Sequence, residues 1–129
     1  MNEAPSSPPL ALIIEDDPYQ SDIFARAVEV AGYRSEVLSN GQEALDRLES
    51  GITPALVVLD LHLPGTAGDE ILRHIRSDER LKDVPVILAT ADPRMADPLY
   101  EESDLVLLKP ISFSQLSDLA SRLRSRVSR

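Results

Sequence analysis

Five polar side chains that could do chemistry stand where separate apolar runs of this sequence end. Glu15 and Asp16 come directly after one apolar run, and Asp60 ends a second. Two later runs end at Thr90 and Lys109. If these runs are parallel strands, their carboxyl ends share one edge of a sheet, which is where open α/β sheets bind ligands. The sequence therefore predicts one site built from three carboxylates, a hydroxyl and an ammonium group.

Three carboxylates held close together raise one another's pKa values unless a cation compensates for the repulsion. Mg²⁺ prefers oxygen ligands and commonly takes one or two carboxylates together with phosphate oxygens. A carboxylate can also attack phosphorus, and the charged oxygens of the transferred group then need a fixed cation and a hydroxyl donor. The residues therefore predict a Mg²⁺-dependent phosphoryl-transfer site.

Some of these residues also have purely structural explanations. Asp17 is explained fully as the cap of a helix that begins at Pro18, so we expect it to take no part in the chemistry. Thr90 could serve only as a β-branched strand residue. Lys109 could serve only as a lysine whose stem covers apolar surface. Thr90 and Lys109 are therefore candidates for chemistry because they are predicted to lie at the same sheet edge as the three acids.

The composition is that of one globular domain with an acidic surface. The 129 residues are 43% hydrophobic and 27% charged, with a net charge of −9. Nucleic-acid surfaces concentrate Lys and Arg, so this charge argues against direct nucleic-acid binding. No apolar run approaches the ~20 residues of a membrane span, the first ten residues do not resemble an export signal, and cysteine is absent. We therefore expect a cytoplasmic protein without membrane insertion.

The apolar pattern alternates between strands and amphipathic helices. Strand-like runs at about 10–14, 34–38, 55–59, 85–89 and 104–108 are each followed by a stretch of helical spacing. The first, third and fourth runs are continuously apolar, as in strands buried on both faces, whereas the second alternates and is expected at an edge. Right-handed crossovers then predict a flavodoxin-like α/β fold, a doubly wound five-stranded parallel sheet with strand order 2-1-3-4-5.

Other segments depart from this regular pattern. Residues 1–9 contain three prolines and no periodic apolar content, so we expect a flexible lead-in to a domain over 10–125, with 126–129 as a tail. The segment 91–103 contains two prolines where the fourth helix should lie, which predicts a short or irregular helix there.

Four short motifs, in this order, resemble the receiver domain of two-component response regulators. They are LIIEDDP at 12–18, LDLHLPG at 59–65, ATA at 89–91 and LKP at 108–110, and the resemblance covers nearly the whole chain. It implies a role in two-component signalling or a phosphorelay. It also implies a protein that is not an enzyme beyond its own phosphorylation and dephosphorylation.

Carried over residue by residue, the resemblance implies that Asp60 is the phosphoacceptor. The donor would be a sensor histidine kinase or a histidine phosphotransfer protein. Glu15 and Asp16 would hold Mg²⁺ together with a carboxylate oxygen of Asp60 and the backbone carbonyl of His62.

The same resemblance assigns two further residues to the phosphoryl group. Thr90 would hydrogen-bond its oxygens, and Lys109 would pair with them, turned into the site by a cis peptide to Pro110. Many receivers carry an aromatic residue three positions before this lysine, where this chain has Val106. Valine is stiff and has no polar tip, so we expect intact phosphorylation chemistry with an unusual readout.

Two alternative functions use the same residues. A haloacid-dehalogenase-like phosphatase or phosphotransferase would also use Asp60 as nucleophile, but that family places a second acid two residues later, where this chain has His62. A phosphorylation-independent adaptor with a receiver fold would not need every site residue intact. The other histidine, His74, has charged neighbours on a helix and is expected to be solvated.

The signal is expected to leave through protein contacts. The fifth helix is followed by only a few residues, so we expect no attached output domain. The sequence leaves open the downstream protein and the formation of a homodimer.

Overall fold

The computed structural model describes residues 8–127, which form one five-stranded parallel sheet between two layers of helices. The strands are β1 (Leu10–Ile14), β2 (Arg34–Leu38), β3 (Leu56–Asp60), β4 (Val86–Thr90) and β5 (Leu105–Leu108). The helices are α1 (Pro18–Val30), α2 (Gly41–Glu49), α3 (Gly68–Ser77), α4 (Pro93–Ala96) and α5 (Phe113–Val127), with a 3₁₀ helix (Asp97–Glu102) directly after α4.

The strand order is β2-β1-β3-β4-β5, which confirms the predicted flavodoxin-like topology and places β2 at an edge. All pairs are parallel, and the register sets Ile14 beside Leu59 and Asp60 beside Ala89. Glu15, the residue after Ile14, therefore leaves the sheet at the level of Asp60. The carboxyl edge of β1 and β3 is thus the place where the predicted acidic residues meet.

Two apolar cores lie on opposite faces of the sheet. One packs α1 and α5 against it, with Phe24 and Leu116 among its buried members. The other packs α2 and α3 against it, with Leu48 and Ile75 among its members. Every residue of β1, β3 and β4 is buried, as the continuous apolar runs predict.

The third and fourth strands begin and end one residue later than the sequence pattern predicts. Pro85, at the predicted start of the fourth strand, has no N–H to donate to the sheet, and only its carbonyl accepts from Val57. Asp60 and Thr90 pair with neighbouring strands as their last residues. The two polar side chains are therefore held by the sheet itself.

The fourth helical region is short and irregular, as the two prolines predict. Asp92 caps α4 by accepting a 3.0 Å hydrogen bond from the N–H of Arg94. Pro98 lacks the N–H that a continuing α-helix would use, and the chain continues as the 3₁₀ helix instead.

Regular hydrogen-bonded backbone continues slightly beyond both ends of the predicted domain 10–125. The carbonyl of Pro9 accepts a 2.9 Å hydrogen bond from the N–H of Arg34 in β2, so the last residue of the predicted lead-in belongs to the fold. α5 continues through Val127, two residues into the predicted tail. Residues 1–7 and 128–129 lie outside the described residues. Between 8 and 127, no helix is long and apolar enough to cross a bilayer.

Candidate functional site

Three carboxylates converge at the carboxyl edge of the sheet. Glu15, Asp16 and Asp60 each offer an oxygen, and these oxygens all lie within 4.8 Å of one another. Glu15 and Asp60 are buried, with 2% and 3% of their surface exposed, whereas Asp16 faces solvent. The sequence prediction that these residues share one site is therefore confirmed.

The buried carboxyl of Glu15 is short of compensating positive charge. Its pKa is raised from 4.5 to about 7, because burial, aided by the charge of Asp60, outweighs the opposing hydrogen bond from Lys109. The backbone N–H of Asp17 also donates to it, at 3.2 Å. A site that holds a buried carboxyl with so high a pKa, together with two more carboxylates, has the oxygen ligands and the charge deficit that suit a hard dication.

Lys109 is the cation that the structure places among these acids. Its Nζ lies 2.9 Å from Oε1 of Glu15 and 3.4 Å from Oδ1 of Asp60. Burial alone would lower the pKa of the ammonium, but the hydrogen bond to Glu15 and the charges of both acids outweigh that effect and raise it. Lys109 therefore stays protonated, and its peptide bond to Pro110 is cis, as the resemblance implies.

The backbone after β3 holds one oxygen of the Asp60 carboxylate. The N–H of His62 donates to Oδ1 of Asp60 at 3.1 Å, and the N–H of Leu61 donates to the carbonyl of Ala89 at 3.1 Å. The imidazole of His62 is exposed. No hydrogen bond formed by residues 8–127 reaches Oδ2 of Asp60, so one oxygen is fixed and the other is available.

A cavity of about 370 Å³ opens on this carboxylate. The hydroxyl of Thr90 accepts from the N–H of Asp92 at 3.1 Å and lies 3.3 Å from the Asp92 carbonyl, so local backbone groups hold it in place. The cavity wall contains the predicted Asp60, Thr90 and Lys109. It also contains residues that sequence reasoning did not select: Gln20, Ala91, Asp92 and Met95.

Gln20 could have been identified from the sequence. It lies in the first turn of α1, just beyond the acids that end β1, and its amide donates to Oδ2 of Asp17 at 3.1 Å. The other carboxylate oxygen of Asp17 accepts from the N–H of Tyr19 at 2.9 Å, which confirms the predicted capping role. Met95 could not be placed, because it belongs to the irregular region whose path the sequence does not define.

Two glycines let the loop after Asp60 approach neighbouring backbone. A Cβ on Gly41 would lie 1.9 Å from the carbonyl oxygen of Thr66, and the N–H of Gly41 donates to the carbonyl of Pro64 at 3.0 Å. A Cβ on Gly68 would lie 2.7 Å from the carbonyl oxygen of Asp60. The loop position thus depends on the absence of two methyl groups.

His74 is only partly exposed, and so less solvated than predicted. Its Nε2 is buried and has no hydrogen-bond partner among the described residues. α3 contacts both α2 and the 3₁₀ helix, so more of its surface is covered than a one-sided amphipathic pattern indicates.

Residues 11–121 match the response regulator receiver domain family. Over 127 residues the chain is 33% identical to the probable methanogenesis regulatory protein FilR2 of Methanothrix harundinacea strain 6Ac, covering 91% of this chain and 82% of that protein. The signal receiver domain of a signal transduction histidine kinase from Syntrophus aciditrophicus has a TM-score of 0.81 at 33% identity, covering 94% and 93% of the two chains.

A third similar structure contains a metal ion in its own site. The receiver domain of a sensor histidine kinase from Pseudomonas aeruginosa PAO1, solved with a magnesium ion coordinated in its active site cleft, has the same fold, with a TM-score of 0.80 at 24% identity. The alignment covers 92% of this chain and 99% of that one. Members of the receiver family bind Mg²⁺ at an acidic site, interact with histidine kinases or phosphotransfer proteins, and generally act as signalling modules rather than enzymes. With the family match over most of its length, the predicted sheet order and an acidic pocket compatible with Mg²⁺ and aspartate phosphorylation, this chain belongs to the receiver domain family of two-component response regulators.

Proposed function

We propose that this chain accepts a phosphoryl group on Asp60 and passes the signal on through protein contacts. The observation that carries the proposal is the state of the Asp60 carboxylate. Its Oδ1 is held by the N–H of His62 and the ammonium of Lys109, while no hydrogen bond from residues 8–127 occupies Oδ2. A buried carboxylate with one fixed and one available oxygen is oriented for nucleophilic attack.

The phosphoryl donor is a phosphohistidine of a sensor histidine kinase or a histidine phosphotransfer protein. An oxygen of Asp60 forms the new bond to phosphorus while the bond from phosphorus to the imidazole nitrogen breaks, and the leaving nitrogen takes a proton from solvent. Lys109 pairs with the phosphoryl oxygens. Thr90 donates its hydroxyl to them after it leaves the backbone of Asp92.

Glu15 and Asp16 are the proposed metal ligands, together with an oxygen of Asp60 and the backbone carbonyl of His62. When all three carboxyl groups are ionised, they and the ammonium of Lys109 carry a net of two negative charges, which favours a dication such as Mg²⁺. Bound Mg²⁺ would neutralise charge on the phosphoryl oxygens. The chain's own residues do the rest, since Asp60 attacks and Lys109 holds the product.

The proposal extends to the setting in which the chain works. The receiver unit comprises 10–125 together with the adjoining Pro9 and the last two residues of α5. The compartment is the cytoplasm, and the only reactions the unit catalyses are its own phosphorylation and dephosphorylation. The absence of cysteine and the net charge of −9 are compatible with that compartment and with a protein partner rather than nucleic acid.

The test is incubation of the chain with Mg²⁺ and acetyl phosphate, followed by intact mass spectrometry. We expect a single phosphoryl adduct that requires Mg²⁺ and is absent from Asp60→Asn. The matched control is Asp83→Asn, which changes an exposed aspartate outside the site and is expected to keep the adduct. A chain that takes no adduct from either an acyl phosphate or a phosphoramidate contradicts the proposal. Mg²⁺-dependent turnover of phosphate monoesters would favour the phosphatase alternative.

A further inference from the structure

A second concave surface, here called the α3 groove, lies between α3 and the residues 95–102. Its volume is about 340 Å³. The groove lies where the α-helix stops at Ala96 and the 3₁₀ helix with Pro98 continues the chain. The shape of the α3 groove therefore depends on the proline-interrupted segment 91–103.

The floor of the α3 groove is apolar. Leu61 and Leu99 line it and are otherwise buried, each with 4% of its surface exposed. Met95 completes the floor and is half-buried, packed on the core beneath. An unbranched methionine adapts its shape to what it contacts, so this floor suits an inserted apolar side chain.

The rim of the α3 groove carries unbalanced negative charge. Arg73 is paired with Asp69 at 3.1 Å, so these two residues cancel each other. Within residues 8–127, no ion pair neutralises the carboxylate of Glu102, which lines the groove. The same holds for Asp97 and Glu101, which lie beside the groove on the same 3₁₀ helix. The sequence has no Lys or Arg between Arg94 and Lys109, and the nearby guanidinium of Arg76 bonds the backbone carbonyl of Glu102 and pairs with Asp104 rather than with these carboxylates. A cationic partner is favoured at this rim.

We infer that the α3 groove docks a basic amphipathic segment of the downstream protein. One apolar side chain of that segment packs between Leu99 and Met95, and a flanking Lys or Arg meets Glu102. Apolar anchors with flanking charges are the usual way in which a helix is held in a groove.

The inference rests on the proposed function for its regulation. Met95 lines both the α3 groove and the cavity at Asp60, and Leu61 in the groove floor directly follows Asp60. A phosphoryl group on Asp60 and the docked segment therefore both contact Met95. If the phosphoryl group changes the affinity for the segment, the segment must change the affinity for the phosphoryl group by the same factor. Val106 packs on the core and has no polar tip to act as a switch. Among the described residues, Met95 is the side chain that lines both sites.

The probe is a fluorescein-labelled peptide of leucine and lysine at helical spacing, titrated with the full chain and followed by fluorescence anisotropy at physiological ionic strength. Glu102→Lys is expected to weaken binding by about tenfold or more, which corresponds to ~1.4 kcal/mol. Glu49→Lys, the same charge change at the end of α2 outside the groove, is the matched control and is expected to leave the affinity within about twofold, because salt screens distant charges. Equal weakening by both variants, or by neither, overturns the docking site.

The coupling is measured with Mg²⁺ and beryllofluoride, a stable mimic of the aspartyl phosphate whose binding is followed independently by ¹⁹F NMR. We expect beryllofluoride to change the peptide affinity at least about threefold in the wild-type chain, a change of roughly 0.7 kcal/mol, and less in Met95→Ala. If ¹⁹F NMR shows no bound beryllofluoride, the proposed function fails. If beryllofluoride binds and the peptide affinity stays the same, the coupling is overturned while the proposed function stands.

Discussion

The ammonium of Lys109 makes its shortest contact with Glu15, at 2.9 Å, rather than with Asp60, which it approaches at 3.4 Å. Glu15 therefore competes with Asp60 for Lys109, the one cation that residues 8–127 place at this site. A dication on Glu15 would release the lysine toward Asp60, where a phosphoryl group needs it. Occupation of the acidic cluster and the position of Lys109 are thus linked through Glu15.

Replacement Glu15→Gln should have opposite effects on stability and on metal binding. The variant removes a buried charge and keeps the shape, and the raised pKa of about 7 indicates that ionised Glu15 costs folding energy without a metal. At a pH above that value, we expect the metal-free variant to gain about 1–2 kcal/mol in urea unfolding. We expect its Mg²⁺ affinity to fall at least about tenfold by calorimetry. A metal-free variant less stable than the wild type, beside an unchanged Glu49→Gln control, would contradict this account.

Gly41→Ala should impair the site from a distance. The added methyl group would clash with the carbonyl of Thr66, so either α2 or the loop after Asp60 must move. We expect a loss of about 1–3 kcal/mol in stability and a slower rate of phosphorylation by acetyl phosphate.

The control for Gly41 is another glycine whose Cβ would meet nothing. Gly51 has a positive φ of 101° with no atom within 4 Å of an added Cβ, so Gly51→Ala should cost about 1 kcal/mol of stability through backbone strain alone. Its phosphorylation rate should equal that of the wild type. If Gly41→Ala is also phosphorylated at the wild-type rate, the glycine does not position the loop.

Much of the fold followed from sequence periodicity, because strands buried on both faces leave continuous apolar runs and parallel strands bring their ends to one edge. These two rules were enough to predict that Glu15 and Asp60 converge. The contact of Gly41 with Thr66 could not be predicted, since it depends on how closely α2 approaches a loop. The position of Met95 between two cavities could not be predicted from the sequence either, because no periodic apolar pattern defines the path of a proline-interrupted segment.

Tyr33 should make stability sensitive to alkaline pH. Its hydroxyl donates to the carbonyl of Ala120 at 3.1 Å, which ties the connection between α1 and β2 to α5. Burial raises the pKa of the phenol above its ordinary value of 10.0 against the opposing charge of Arg124. A raised pKa means that the unfolded chain loses this proton first. The stabilisation is therefore complete below pH 10 and is lost as the pH rises through the pKa of the folded state.

The measurement is the free energy of unfolding at neutral pH and at a pH above 10. At neutral pH, Tyr33→Phe should be less stable by about 1 kcal/mol, because the hydrogen bond is lost. Between the two conditions it should lose less stability than the wild type. Tyr19→Phe, at a tyrosine that is 84% exposed, should follow the wild-type pH dependence. Parallel losses in Tyr33→Phe and the wild type would show that this phenol does not control the alkaline transition.

The two ends of the segment 91–103 are held differently. At its start, the hydroxyl of Thr90 bonds the N–H and the carbonyl of Asp92, and that carbonyl otherwise accepts from the N–H of Met95 within the same segment. At its end, the guanidinium of Arg76 donates to the carbonyl of Glu102 at 2.5 Å and to the carboxylate of Asp104 at 3.0 Å. The same guanidinium also reaches the carbonyl of Val84, at 2.6 Å. The start of the segment can therefore respond to Asp60 while its end stays fixed to α3.

Binding of Mg²⁺ and beryllofluoride should change amide hydrogen exchange more in residues 91–96 than in residues 102–104 or in α5. The reason is that recruitment of the Thr90 hydroxyl by the phosphoryl mimic breaks its bonds to Asp92, whereas the Arg76 contacts lie outside the site. Arg76→Lys keeps the charge but loses the planar fork, so in that variant the change should extend to 102–104. Arg122→Lys, at an exposed position of α5, should behave as the wild type. A larger change in α5 than in 91–96 would mean that the signal leaves by a different face, because the Thr90 to Asp92 link would then not carry it.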